Sequence, residues 1–264
     1  MSSTLTILGC GYVGTALAKS ALAKDWNVSA LTRNEETGKK LEGLGVQNVV
    51  VSRLDSDEWH SYLDSKQDFV VNCVGAFSPS LDGYVTSYVE GQKSAMKWLE
   101  NGFVNSYIFT SSCSVYPHTG RKLIDEKASC ADVSEKGRIL LAAEGISFPP
   151  PSSINRSFVL RLAGIYGPDR HLLVNKVKEG VELDGNADRI LNLIHRDDAV
   201  SAIFACLLAD QKNLGRLYNL SDGSASSRGQ IVEWLADKLK VDLPSFKEDD
   251  KECTPNRKIS NQRI

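Results

Sequence analysis

The sequence contains no C-x-x-C pair and no cysteine–histidine cluster. Its six cysteines, Cys10, Cys73, Cys113, Cys130, Cys206 and Cys253, lie scattered along 264 residues. That excludes a disulfide framework and a zinc site as organising features, and makes a reducing compartment the default. Excess charge is missing too. Lys and Arg total 31 against 33 Asp and Glu, a net charge of −2. Neither nucleic acid nor an anionic membrane surface is therefore an expected partner. The longest apolar run, Ala202 to Ala209, is far too short to span a bilayer. The N-terminus, MSSTLTILGCG, lacks the basic n-region of a secretory signal. Internal repeats, heptads and long low-complexity stretches are absent as well. A cytoplasmic location is expected.

What remains is ordinary globular composition, 42% hydrophobic and 24% charged, long enough to bury a full core in one domain over 1–264. The first half alternates short apolar runs with helical segments. Strands are expected at Thr4–Leu8, Val28–Leu31, Val46–Val51, Phe69–Val74 and Tyr107–Thr110. Between them come helical patterns at Val13–Lys24, Glu35–Leu44, Glu58–Leu63 and Val85–Asn101. Continuous apolar strands joined by helices predict an α/β fold with a doubly wound parallel sheet. Further on, a helix is expected over Ser134–Gly145, a sixth strand over Ser157–Leu162, and helices over Ala199–Leu208 and Gln230–Leu239.

Gly9-Cys10-Gly11-Tyr12-Val13-Gly14 is a G-x-G-x-x-G between the first strand and the first helix. Gly9 would permit a tight turn, Gly11 a close approach of a pyrophosphate, and Gly14 close packing of helix on sheet. The N–H groups at the helix start would face the phosphates. The second strand ends in Thr32-Arg33-Asn34, with no acid at Thr32. An Asp or Glu there would hold the ribose hydroxyls of NAD; Arg33 would instead attract the 2′-phosphate of NADP. NADP is thus favoured over NAD, unless Arg33 is only a solvated charge. Asp55, after the third strand, either meets the adenine or serves its own turn.

The fifth strand runs into Thr110-Ser111-Ser112-Cys113-Ser114-Val115-Tyr116-Pro117. In an open parallel sheet this loop opens on the same crevice as the glycine turn. Three more stretches accompany it: SFVLRLAGIYGPDR (Ser157–Arg170), LNLIHRDDAVSAI (Leu191–Ile203) and GRLYNLSDG (Gly215–Gly223). In this order the motifs resemble the extended short-chain dehydrogenase/reductases, the NAD(P)-dependent epimerase/dehydratase branch, over nearly the whole chain. The resemblance implies an NAD(P)-binding Rossmann fold with a small C-terminal substrate-binding portion, mainly from 167–192 and 216–264. The chain's end at Arg257–Ile264 reads as keeping that portion small. The resemblance maps Ser112 onto the hydroxyl that binds the reacting oxygen. Leu162, Gly164 and Ile165 map beside the nicotinamide, and Val74, Gly75 and Ala76 beside the ribose. Ser111 either joins the cofactor wall or simply ends the strand. Ser114, Tyr166 and Arg170 are candidates for substrate, and Arg170 or Arg189 for an anionic group on it. The implied assembly is a monomer or a homodimer.

The departure from the family lies on the helix after the serine. Active members carry Tyr-x-x-x-Lys there; this helix reads Ser134-Glu135-Lys136-Gly137-Arg138-Ile139-Leu140. In the preferred register Ser134 replaces the tyrosine and Arg138 the lysine. An arginine can hold a ribose hydroxyl but cannot exchange a proton. Tyr116 either takes over proton transfer or is a packing residue. His195 is a candidate acid/base, or a local structural group before Asp197 and Asp198. Cys113 has no evident base beside it. Two functions follow. One is an NADP-linked oxidoreductase or epimerase/dehydratase-like enzyme on a small polar substrate. The other is a catalytically impaired NAD(P)(H)-binding module with a redox-sensing or regulatory role.

Overall fold

The computed structural model describes residues 2–209, 217–247 and 256–264. Cys253, Gly215 and Arg216 lie outside them. The architecture is α/β. Strands β1 (Thr4–Leu8), β2 (Asn27–Thr32), β3 (Asn48–Val51), β4 (Lys66–Asn72), β5 (Phe103–Ser112), β6 (Ile154–Leu162) and β7 (Leu217–Leu220) form one seven-stranded sheet. Its order is β7-β6-β5-β4-β1-β2-β3, and every pair is parallel. The strand order reverses between β1 and β4. That is the crevice where doubly wound sheets bind ligands.

The helices are α1 (Tyr12–Leu22), α2 (Glu35–Gly43), α3 (Leu81–Tyr84), α4 (Gly91–Leu99), α5 (Glu135–Ile146), α6 (Leu172–Lys178), α7 (Arg196–Leu208) and α8 (Arg228–Leu239). Their starts follow local chemistry. The Asn34 and Ser134 side chains accept from the N–H of Thr37 and Gly137, and Ser227 forms a reciprocal capping box with Gln230. The helix expected over Val85–Asn101 begins earlier and carries a π-helical turn, Val85–Glu90, between α3 and α4.

One face of the sheet buries α1 and α7 around Trp26, which stacks on Phe69 at 4.9 Å and meets Phe204 edge-on at 5.2 Å. The other buries α4 around Trp59 and Trp98. A small separate core joins α6 and α8 through Val177, Leu183, Val232 and Ala236, beside the short parallel pair Leu183–Asp184 and Phe246–Lys247. The stretch 217–220 is part of the central sheet, pairing with β6, and not of this smaller unit. Among the described residues no helix is long and apolar enough to cross a membrane.

Candidate dinucleotide-type active site

A cavity of about 700 Å³ opens at the carboxyl ends of the strands, across the β1/β4 switch. Such a volume lies in the range of small-molecule sites. At one end stands the glycine turn. Gly9 has φ +71°, and a Cβ there would lie 2.6 Å from Cα of Val74. Nothing but glycine fits. Gly11 faces open space: a Cβ there would meet nothing nearer than the Gly9 carbonyl, at 3.9 Å. It caps α1 without any side-chain bond, and the first turn of α1 holds no acid. The helix start therefore presents bare N–H groups and its partial positive charge to the cavity. Gly9, Gly11, Tyr12 and Val13 line the wall, whereas Gly14 does not. A Cβ on Gly14 would meet Ile7 at 3.1 Å and Cys10 Sγ at 3.2 Å, so its place is in the helix–sheet packing.

The next part of the wall comes from β2, β3 and the turn after β4. Thr32, Arg33, Asn34, Thr37, Ser52, Arg53, Asp55 and Phe77 line it. The half-exposed Phe77 ring has the guanidinium carbons of Arg33 and Arg53 each 5.7 Å from its centroid. Arg53 grips Asp55 with both ends of its fork, at 3.1 and 2.7 Å. Arg33 makes no ion pair among the described residues. The Asp55 carboxylate is thus engaged by Arg53, and Arg33 is the open cation at this end.

The turn Val74-Gly75-Ala76, expected beside a ribose, also lines the cavity. It is pinned from the π-helical turn. The Ala76 N–H donates to Tyr88 Oη at 3.3 Å, and the Phe77 N–H to Ser87 Oγ at 3.1 Å. Burial pushes the Tyr88 phenol upward. Ser87 and Tyr88 reach the cavity wall, and sequence reasoning missed both. An uninterrupted α-helix offers no signal for a π turn, which is an irregularity often found at functional sites. Arg53 and Phe77 were also missed, although a second arginine two residues before Asp55 was visible.

At the far end, Ser111, Ser112, Leu162, Gly164 and Ile165 line the wall. The Ser111 hydroxyl donates to Glu144 Oε1 at 2.6 Å and is buried. Ser112 Oγ accepts the Ser114 N–H at 3.1 Å, which leaves its own proton free to donate. Ser114 is not on the wall. Tyr166 is also outside the lining and packs edge-on against His195 at 5.2 Å. His195 Nδ1 accepts the Asp197 N–H at 3.2 Å and caps α7 itself, so the capping group is the histidine and not the aspartates. Arg170 is on the wall, but beside Tyr12, with its guanidinium 5.4 Å from that ring. Among the described residues none after Arg170 lines the cavity, so of the expected substrate portion Arg170 alone reaches this wall.

Two expectations for catalysis are corrected by position. Tyr116 is fully buried, and its phenol bonds Arg161 and Asn219 in the core rather than the cavity. Burial raises it to about 12, with Arg161 only partly opposing, so it is a poor proton donor at neutral pH. Arg138 stands exposed on α5 and off the cavity wall. Ser134, matched to the family tyrosine in the preferred register, is the N-cap of α5. On α5, Lys136 turns toward the end of α3, with Nζ 5.1 Å from the Tyr84 ring centroid. Cys113 is buried, and desolvation raises its thiol to about 12.

The family model of the NAD dependent epimerase/dehydratase family matches residues 5–221. The chain belongs to that family. It is 25% identical to protein YeeZ of Escherichia coli K12 over 252 residues, covering 92% of this chain and 86% of that one. Among solved structures, it is similar to a candidate NAD-dependent epimerase/dehydratase of Methylobacillus flagellatus, with 26% identity and TM-score 0.78 over 100% of this chain and 90% of that one. It also shares the fold of UDP-glucuronic acid 4-epimerase from Bacillus cereus, solved with UDP-glucuronic acid and NAD. There the identity is 16% and the TM-score 0.80, over 97% of this chain and 89% of the other.

Proposed function

We propose that the chain binds NADP(H) across this cavity and works as an oxidoreductase or epimerase/dehydratase-like enzyme on a small polar substrate. The observation that carries the reading is the continuity of one wall. It runs from the uncapped start of α1, past Arg33, to the free hydroxyl of Ser112. The bare helix start and the space at Gly11 fit a diphosphate, and the unpaired Arg33 fits a 2′-phosphate. When bound, the nicotinamide supplies hydride acceptance or donation. Ser112 donates its hydrogen bond to the reacting substrate oxygen and orients it. Leu162 and Ile165 form the apolar side of that end. With Tyr116 held in the core, the proton exchanged at the substrate oxygen comes from water.

A second reading, of a protein that binds the dinucleotide without turning it over, is favoured by one observation. Neither Tyr116 nor Arg138 stands where it could act on a substrate. Parallel titrations with NADPH and NADH, followed by ligand fluorescence and melting temperature, test the common part. A panel of small carbonyl compounds with the wild type and Ser112→Ala separates the two. Turnover lost in the variant with unchanged NADPH affinity supports the enzyme. Stoichiometric binding with no turnover of any compound supports the binding module. Failure to bind either dinucleotide overturns both.

A further inference from the structure

Arg170 was expected to meet substrate, but its guanidinium lies against Tyr12 at the start of α1. It closes a tight turn, Gly167-Pro168-Asp169-Arg170, in which the Arg170 N–H donates to the Gly167 carbonyl at 3.0 Å and Asp169 has φ +61°. This turn is fastened to the phosphate helix. Tyr12, the first residue of α1, donates its phenol proton to the Pro168 carbonyl at 2.9 Å. The fit leaves no slack. Gly167 has φ +147°, and a Cβ there would lie 2.9 Å from Tyr12 Oη and 3.2 Å from His195 Nε2.

Two guanidiniums approach the Tyr12 ring, and they differ. Arg196, at 5.3 Å, is neutralised by Asp197 through a 2.9 Å bond. Arg170, at 5.4 Å, makes no ion pair among the described residues and faces the cavity with Gly9, Gly11 and Val13. A fork of N–H donors is thus held opposite an uncapped helix start, with Tyr12 as its rest.

We propose that Arg170 is a clamp for the diphosphate of the dinucleotide, binding it from the side opposite the α1 N–H groups. This rests on the dinucleotide reading above and adds a residue from the second half of the chain to it. The ligand chemistry is a diphosphate, bidentate to guanidinium, which lysine's point charge reproduces only in part. The Tyr12–Pro168 bond serves as the strap that keeps the turn over the helix start.

The test compares wild type, Arg170→Met, Arg170→Lys and Arg196→Met by fluorescence and calorimetric titration with three probes. NADPH and 2′-phospho-ADP-ribose carry the diphosphate; 2′-AMP lacks it. Arg170→Met should weaken the first two by roughly 10- to 100-fold and leave 2′-AMP unchanged, as expected for one lost charge-assisted contact. Arg170→Lys should fall between, and Arg196→Met should bind like wild type. Unchanged NADPH affinity in Arg170→Met overturns the clamp while the dinucleotide reading stands. Equal weakening of 2′-AMP also overturns it, because the effect then does not act through the diphosphate. If the wild type binds none of the three, the dinucleotide reading itself falls.

Discussion

The Tyr116 phenol donates a 2.8 Å hydrogen bond to Asn219 Oδ1 and accepts one of the same length from Nη1 of Arg161. The other edge of the Arg161 fork holds Glu144, at 2.9 and 2.6 Å. Ser111 bonds the same carboxylate. One buried network thus ties α5, β5, β6 and β7 together beneath the floor of the cavity. Burial alone would lower the Arg161 pKa, but the bonds and charge of Glu144 outweigh it and the net shift is upward. The tyrosine that follows the serine motif is a structural member of this network.

Tyr116→Phe should therefore behave as a stability variant. It leaves a buried guanidinium donor short of a partner, at a cost of about 1–3 kcal/mol. Urea unfolding should read that loss, while NADPH affinity stays within about twofold of wild type, below the roughly 1.4 kcal/mol that a tenfold change represents. A large drop in affinity with unchanged stability would put the phenol back in the site.

The same residue sets a pH dependence. Its phenol titrates at about 12 in the folded chain, against an ordinary value of 10.0. The native state keeps this proton to higher pH than the unfolded chain does. The contribution is fully present below pH 10 and is lost as pH rises through about 12. Wild-type unfolding free energy should fall more steeply than that of Tyr116→Phe across this window. The difference should be on the order of 2–3 kcal/mol. Parallel slopes by alkaline urea titration would mean that the phenol is not desolvated.

The sequence carried the sheet well, because continuous β-branched runs and a glycine turn in front of a helix are local signals. Thr4–Leu8 agrees to the residue. Strand β5 runs through Ser112, two residues beyond its apolar stretch, because Ser111 and Ser112 are still in register with Arg161 and Leu162. That pairing is non-local and leaves no trace in the window. Leu217–Leu220 went unread for the same reason. Gly9, Gly11 and Arg33, expected at the phosphate end, all line the cavity. The aim of Tyr116, the position of Arg138 and the end of the cavity that Arg170 serves depended on three-dimensional packing.

The two glycines of the turn should separate fold from binding. An alanine at Gly9 meets the Val74 backbone and holds a left-handed φ, so Gly9→Ala should lose several kcal/mol of stability, on the order of other backbone-strain and overpacking variants. Gly11→Ala meets nothing closer than 3.9 Å and should unfold within about 0.5 kcal/mol of wild type. Its methyl group nevertheless projects where a diphosphate must approach, and NADPH binding should be lost. Calorimetric unfolding with parallel NADPH titration checks both. Wild-type affinity in Gly11→Ala would remove the phosphate end from the reading.

Cofactor choice turns on the two arginines against Phe77. Arg33 makes no ion pair among the described residues, so Arg33→Ser should weaken NADPH by roughly 10- to 100-fold, the range of a charge-assisted contact, and NADH by less than threefold. Arg53 acts differently. It neutralises Asp55, and Arg53→Gln releases that carboxylate into the wall. A bare carboxylate repels a 2′-phosphate and accepts from ribose hydroxyls, so this variant should weaken NADPH and strengthen NADH. The effect on NADPH should shrink with added salt, because both groups reach solvent. Paired titrations at two ionic strengths measure it. If Arg33→Ser weakens both dinucleotides equally, the arginine reads the adenosine rather than the phosphate, and the preference for NADP loses its basis.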